Sequence, residues 1–417
     1  MKCFSFKIIV IALLLGAVFP VSADPTKILP MISLKQEYSD NILFSSSNEK
    51  EDFITTASGG LAIRHRTETV TAGLAAWLDQ LLYQDFDELN TLNKRFSGNM
   101  DYRVTERLGV GASAQYNEDS RRDRDADTTG LLLSGDREAT RFSLSSGYYF
   151  SEILKGDIRL DYGDVEIKES NRYEDNNDFR ADITFSKNLS EIFRNTTGIL
   201  NFNYLRYTAD IEATTPGAIR TSTLFQEYVS DIFQFSTGVS KDITELYNIY
   251  GQVGASYART NERLRSRSVL TSNGSVISDA WSPDQDGDIL GGVLLAGVKY
   301  NGLYYDMGLS VSQDMRGASG TNGAVQRSSV AGNIIRKLTE KFSLTFEASV
   351  YLNQNDRKSQ ADTEELAVNI QPGFRYQLSD DLYLSGLYSF TSVENRQDGT
   401  TSERNLIYIV IRKEFEL

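Results

Sequence analysis

Apolar and polar residues alternate along most of this chain. In FSLTFEASVYLN, Phe342, Leu344, Phe346, Ala348, Val350 and Leu352 are apolar, while Ser343, Thr345, Glu347, Ser349 and Asn353 are polar. AVNIQPGFRYQL sets Val368, Ile370, Phe374, Tyr376 and Leu378 against Asn369, Gln371, Arg375 and Gln377. NDFRADITFSKN sets Phe179, Ala181, Ile183 and Phe185 against Asp178, Arg180, Asp182, Thr184 and Ser186. A period of two is that of a strand with one apolar and one polar face. The runs last about 9–12 residues, longer than most strands of soluble sheets and long enough for a tilted strand to cross a bilayer.

Eighteen such segments begin near Ile28, Phe53, Val70, Arg95, Leu108, Arg141, Gly156, Phe179, Thr197, Glu227, Ile249, Leu290, Tyr304, Ser328, Phe342, Glu365, Leu382 and Asn405. One is ambiguous. TAGLAAWLDQLLYQDF (71–86) places Leu74, Trp77, Leu78, Leu81 and Leu82 at helical spacing, but Leu74, Ala76, Leu78 and Leu82 also alternate, and its neighbours favour a strand.

The connections come in two kinds. A Ser/Thr-acid step recurs at Thr67, Thr105, Ser151, Ser190, Thr244, Thr339 and Ser379, each time between two alternating runs. Such residues bond local backbone and reverse the chain. A single copy would also suit a helix N-cap, but seven copies between strands read as hairpin turns, and Asn301-Gly302 supplies an eighth. Long polar loops lie between them at 44–52, 118–138, 209–224, 259–287, 316–323 and 394–401. Short turns on one side and long loops on the other predict an all-β fold. It is a transmembrane antiparallel up-and-down β-barrel of about 18 strands (16–18), with periplasmic turns and extracellular loops. No linker interrupts residues 24–417, which read as a single barrel domain.

Composition sharpens this picture. Residues 1–23 read as a cleaved signal peptide, with Lys2 and Lys7, an apolar stretch from Ile8 to Phe19 and the small-residue site Val21-Ser22-Ala23. The single cysteine, Cys3, lies in that leader, so disulfides, zinc thiolates and thiol chemistry are excluded from the exported chain. Net charge is −14, and losing Lys2 and Lys7 leaves 41 basic against 57 acidic side chains. That balance argues against nucleic acid as a partner. The longest later apolar run, ILGGVLLAGV (289–298), is 10 residues, too short for a spanning helix. Aromatics beside the short turns are expected to form an interfacial girdle: Tyr148, Tyr149, Phe150, Phe193, Tyr247, Tyr250, Tyr300, Tyr304, Tyr305, Phe342, Tyr376 and Tyr383. In NLIYIVIRKEFEL, Ile407, Ile409, Ile411, Phe415 and Leu417 share one face. The segment is similar to the terminal strand read by the barrel assembly machinery, although it ends in Leu and carries Lys413 on the apolar face.

Candidate chemistry is sparse, and no cofactor or metal site is expected. His65, the only histidine, sits between Arg64 and Arg66 with no nucleophile motif and reads as a solvated or girdle residue. DRDADTTG (123–130) and DQDGD (284–288) are similar to calcium-loop fragments but lack the sixth-position Gly and twelfth-position Glu. They read as solvated loops, with weak divalent bridging to lipopolysaccharide as the functional alternative. The Asn-x-Ser/Thr triplets at Asn188, Asn195 and Asn273 read as chance. The polar strand faces are candidates for a lumen lining: Asp157, Arg159, Asp161, Asp178, Arg180, Asp182, Asn201, Asn203, Glu347, Tyr351, Asn369, Gln371 and Arg375. The charged members suit cross-strand ion pairs that hold the wall, or a lining for a hydrophilic solute. The neutral ones suit carbohydrate or water.

ILPMISLKQEYSDNILFS (28–45) and DELNTLNKRFSGNMDYRVTERLGVGASAQYNEDS (87–120) resemble the family named β-barrel porin type 2. The shared features are an early "eYsDNi" strand and a later "L-N…Y-R-x-[ST]-x-R-L-x-x-G…Y-x-x-D" hairpin, clearest over residues 28–155. The resemblance implies an outlet for exopolysaccharide or capsular polymer working with a periplasmic export protein; it transfers no site residues. The expected function is therefore an outer-membrane channel for secreted polysaccharide, in contact with outer-membrane lipid and lipopolysaccharide. A general diffusion porin for small hydrophilic solutes and a non-transporting surface barrel are the alternatives, and an enzyme is not expected. An 18-stranded barrel leaves an aqueous channel unless loops plug it.

Overall fold

Strands with one apolar face and one polar face must either pair into layers or close on themselves, and here the sheet closes. The computed structural model describes residues 26–120, 136–169, 172–215, 217, 220–270, 275–283, 285–318, 323–355, 363–397 and 399–416. The leader, Leu417, Asn273, Asp284 and the 123–130 acidic loop lie outside these residues.

The strands are β1 (Thr26–Ser39), β2 (Asp52–Arg66), β3 (Val70–Tyr83), β4 (Thr91–Arg103), β5 (Leu108–Asp119), β6 (Asp136–Tyr149), β7 (Leu154–Glu169), β8 (Arg172–Asn188), β9 (Thr196–Thr215) and β10 (Arg220–Asp242). They continue with β11 (Tyr247–Leu270), β12 (Val276–Trp281), β13 (Gln285–Asn301), β14 (Tyr305–Ala318), β15 (Gly323–Lys337), β16 (Phe342–Asn355), β17 (Thr363–Ser379), β18 (Leu382–Asn395) and β19 (Thr400–Glu414). Sequential wall strands pair antiparallel, and β1 pairs with both β2 and β19. The wall thus has 18 strands. β12 is additional: it pairs with the upper part of β11, while β13 pairs with the lower part. Closure gives wall backbone groups partners that lipid would withhold. The 71–86 segment is strand up to Tyr83, as β3, and its helical spacing is incidental.

The outward face carries the exposed large apolar side chains, among them Ile32, Leu34, Leu74, Leu144, Ile158, Leu160, Phe235, Leu309, Phe346 and Ile409. Cross-strand pairing aligns Tyr204, Phe233, Tyr257 and Leu290 in one outward row. The next row towards the loops is Arg206, Asp231, Arg259 and Asp288. An aromatic row followed at once by a charged row marks the edge of the lipid-facing band.

Five of the seven Ser/Thr-acid steps share one device. The hydroxyl oxygen of Thr67, Thr105, Ser151, Thr244 or Thr339 accepts the backbone N–H three residues on, at 2.9–3.2 Å. Ser190 and Ser379 depart from it. The connection at 189–195 is wider and turns through Asn195 at φ 53°, and the Ser190 N–H donates to Asn188 Oδ1. The Ser379 hydroxyl donates to Asp381 Oδ1 at 2.6 Å. Asp381 also accepts from Lys413 Nζ at 2.6 Å, which accounts for a lysine on the outward face of the last strand. These two hydrogen bonds, Lys413 first, hold the Asp381 carboxyl below its ordinary value.

Three expectations are corrected. The segments 209–224 and 259–287 are largely strand, because β9, β10 and β11 run 20, 23 and 24 residues and continue past the lipid band. Tyr149, Tyr250 and Tyr383 face the lumen, out of phase with their outward neighbours, so they are not girdle residues. Arg159 pairs within its own strand, with Asp161 at 2.9 Å, although the register sets it opposite Asp182.

Candidate functional site

The alternation places every candidate lining residue on the inward face, because each is flanked in its strand by outward apolar residues. Asp157, Arg159 and Asp161 alternate with the exposed Ile158, Leu160 and Tyr162 on β7. Asp178, Arg180 and Asp182 do so with Phe179 and Ile183 on β8, and Asn201 and Asn203 with Phe202 on β9. Glu347 and Tyr351 lie opposite in phase to Phe346 and Val350 on β16, and Asn369, Gln371 and Arg375 to Ile370 and Tyr376 on β17.

The charges are largely matched locally. Asn203 Nδ2 donates to Asp182, and Asn201 Nδ2 donates to Thr184 Oγ1 at 2.8 Å. Arg141 on β6 approaches Asp178 on β8 at 4.0 Å, reaching across β7 at Gly163. A Cβ at Gly163 would lie 2.3 Å from Asp178 Oδ1, so a larger residue there would displace the Asp178 carboxylate. Tyr250, Lys299, Asn333, Glu347, Asn369 and Gln371 surround a recess of about 370 Å³ in the wall.

Four inward rings besides Tyr351 were not among the expected lining residues, and each of the four stands beside a cation. Lys155 lies 5.6 Å from the Tyr149 ring, Lys299 5.5 Å from Tyr250, Arg375 4.8 Å from Tyr383 and Arg412 4.7 Å from Trp77. Their parity was the available signal. Tyr250 is in phase with Asn248 and Gln252, and Tyr383 with Ser385. Trp77 carried little signal, since Ala and Leu occupy both phases of β3.

The two halves of the lumen differ. Towards the turns, inward side chains such as Arg64, Asp101, Arg103, Asn333, Glu347 and Arg375 are exposed. Towards the loops, inward side chains are buried. Glu37, Asp52, Arg327, Asn353, Glu365 and Arg404 are each at most 7% exposed. Two elements fill this end. The β1–β2 connection dips inward so that Phe44 packs on Tyr351, Ala367 and Val393, with Arg404 5.4 Å from its ring. Across the mouth, Met315 of β14 and Ala324 of β15 pack with Leu205, Ile232 and Ala258, which are inward residues of β9, β10 and β11. The lumen is therefore an open vestibule at the turn end and a packed mouth at the loop end.

His65 faces outward at the turn end, with Nδ1 2.9 Å from Thr26 Oγ1. Of the DQDGD stretch, Asp286 contacts Asn261 Nδ2 at 2.7 Å and Arg259 at 3.4 Å. No group of three or more metal-ligating side chains occurs among the described residues.

No family model matches the chain, and no curated protein matches it. Among solved structures it is similar to the ferric citrate transporter FecA in its unliganded form, with a TM-score of 0.43 and 13% identity over 91% of this chain and 61% of that one. The chain thus spans about three fifths of FecA. It is similar to the ferric yersiniabactin uptake receptor FyuA from Yersinia pestis at TM-score 0.46 and 9% identity, covering 93% of this chain and 80% of that one. For the ferric-catecholate import receptor Fiu from E. coli the TM-score is 0.48 and the identity 8%, covering 94% of this chain and 82% of that one.

Proposed function

We propose that this barrel is an outer-membrane conduit for a secreted exopolysaccharide or capsular polymer, taken up from a periplasmic export protein at the turn end. The observation that carries the reading is the lumen wall, where Trp77, Tyr149, Tyr250 and Tyr383 each present a ring beside a cation, among Asn, Gln and paired charges. Rings offer sugars a stacking face, and amides and carboxylates bond hydroxyls, with no single sign of charge dominating. Supporting it further, the vestibule is exposed towards the turns and narrows into the packed mouth, which suits entry from the periplasm. The resemblance of residues 28–45 and 87–120 to the β-barrel porin type 2 family points the same way.

The test pairs secretion with binding. Loss of the protein is expected to leave polymer in the periplasm. The Tyr149→Ala/Tyr250→Ala/Tyr383→Ala variant is expected to bind an oligosaccharide of that polymer on the order of 100-fold more weakly, at about 1 kcal/mol per ring. Normal secretion in its absence, together with conduction of small solutes by the purified protein, makes it a diffusion porin. No conductance under any condition makes it a structural barrel.

A further inference from the structure

The wall contains a seam. Pairing between β13 and β14 runs from Asn301↔Asp306 up to Leu294↔Gln313 and stops, although both strands continue. Above that point β13 stays on β11 as far as Gln285, and β14 stays on β15 as far as Ala318. The upper β14–β15 hairpin has instead turned into the mouth. Met315 and Gly317 are in phase with the outward Leu309 and Val311, yet Met315 is only 1% exposed against the inner surface of β9–β11. Gly317 lies against Tyr207, where a Cβ would fall 2.3 Å from the ring. A face that lower down meets lipid is here pressed against the lumen lining.

We propose that this hairpin is a two-seat flap, closing the mouth in its present seat and opening it by zipping into the wall beside β13. Continuing the existing register pairs Val293 with Asp314, Gly292 with Met315, Gly291 with Arg316 and Leu290 with Gly317. Two glutamines occupy this seam now. Gln326 Nε2 donates to the Gly292 carbonyl at 3.0 Å, and Gln234 Nε2 donates to the Met315 carbonyl at 2.6 Å. Those carbonyls belong to two residues that the wall seat would make partners, so side-chain amides stand in for the missing ladder. The wall seat is vacant on its outer side too. Leu290 is 83% exposed, and nothing lies within 4 Å of a Cβ built at Gly292. Backbone groups at a sheet edge seek a strand, and the hairpin is the strand at hand. As a regulator of passage, the flap rests on the reading of the lumen as a conduit; its movement does not.

Disulfide trapping in folded protein in liposomes tests the movement, with Cys3 absent. The Tyr207→Cys/Gly317→Cys pair reports the present seat. The Gly292→Cys/Met315→Cys pair reports the wall seat, because a disulfide needs Cβ atoms about 4 Å apart and Gly292 now has no neighbour so close. Both pairs are expected to cross-link. Gly317→Val, which has no room against Tyr207, is expected to accelerate the second cross-link and raise conductance severalfold in the single variant. The flap is overturned if the first pair cross-links while the second does not, even with Gly317→Val present. Cross-linking of both pairs with no current and no polymer passage keeps the flap and removes the conduit.

Discussion

Replacing Asn41 by alanine should unplug one side of the mouth. Asn41 has no accessible surface. Its Nδ2 donates to the carbonyls of Ser45 and Glu403, both at 2.8 Å, and its Oδ1 accepts the Ser45 N–H at 2.9 Å. Beside it, the Asp40 carboxylate accepts the backbone and side-chain N–H groups of Asn405, both at 2.7 Å. These bonds fold the β1–β2 connection onto β19 and carry Phe44, at φ 48°, into the lumen. Alanine removes three hydrogen bonds at once and leaves backbone groups without partners, at about 1–3 kcal/mol for each one left buried. Burial of the Phe44 side chain is worth only about 2–3 kcal/mol, so the inward loop no longer holds. A severalfold rise in single-channel conductance in planar bilayers is expected. Phe44→Ala should act in the same direction but less, since the loop keeps its frame. Unchanged conductance in Asn41→Ala would show that this loop does not limit passage.

A charge on the outward face should cost far more than the same charge one residue away. Phe346 is 41% exposed on the outside of β16, opposite Ile334 and Pro372. Thr345 precedes it and faces the lumen, opposite Ile335 and Gly373. Phe346→Arg sets a guanidinium in lipid and is expected to destabilise the folded barrel by about 2–4 kcal/mol. Thr345→Arg keeps its charge in the wet vestibule and should stay close to wild type. Urea titrations of the heat-modifiable folded band in detergent or lipid measure both. Equal losses would remove the distinction between the faces.

Much of the wall was legible because lipid and water impose opposite demands on adjacent residues. All 18 wall strands follow from the period of two, and five turns follow from a hydroxyl three residues before an N–H. What escaped lies where that contrast fades. Above the lipid band the outward face of β10 and β11 turns polar, so the contrast between the two faces is lost. Arg263 and Arg265 outside and Glu262 inside then read as loop. The fold of the β14–β15 hairpin was hidden for another reason. The phase of Met315 assigns it to lipid, and only the end of pairing with β13 turns it inward. Phe44 ends a short apolar run, Ile42-Leu43-Phe44, in a connection that is otherwise polar, and nothing in that run marks which side chain enters the lumen. The motif residues Asp40 and Asn41 were visible, but their role as its clamp depends on Glu403 and Asn405, more than 360 residues away.

The central claim is a closed wall with lipid on one side and water on the other. Single cysteines along β7, from Asp157 to Tyr162, in protein lacking Cys3 and folded into liposomes, test it most directly. A water-soluble maleimide is expected to label positions 157, 159 and 161 and to spare 158, 160 and 162. Uniform labelling along the strand, or a period near 3.6, would contradict the barrel.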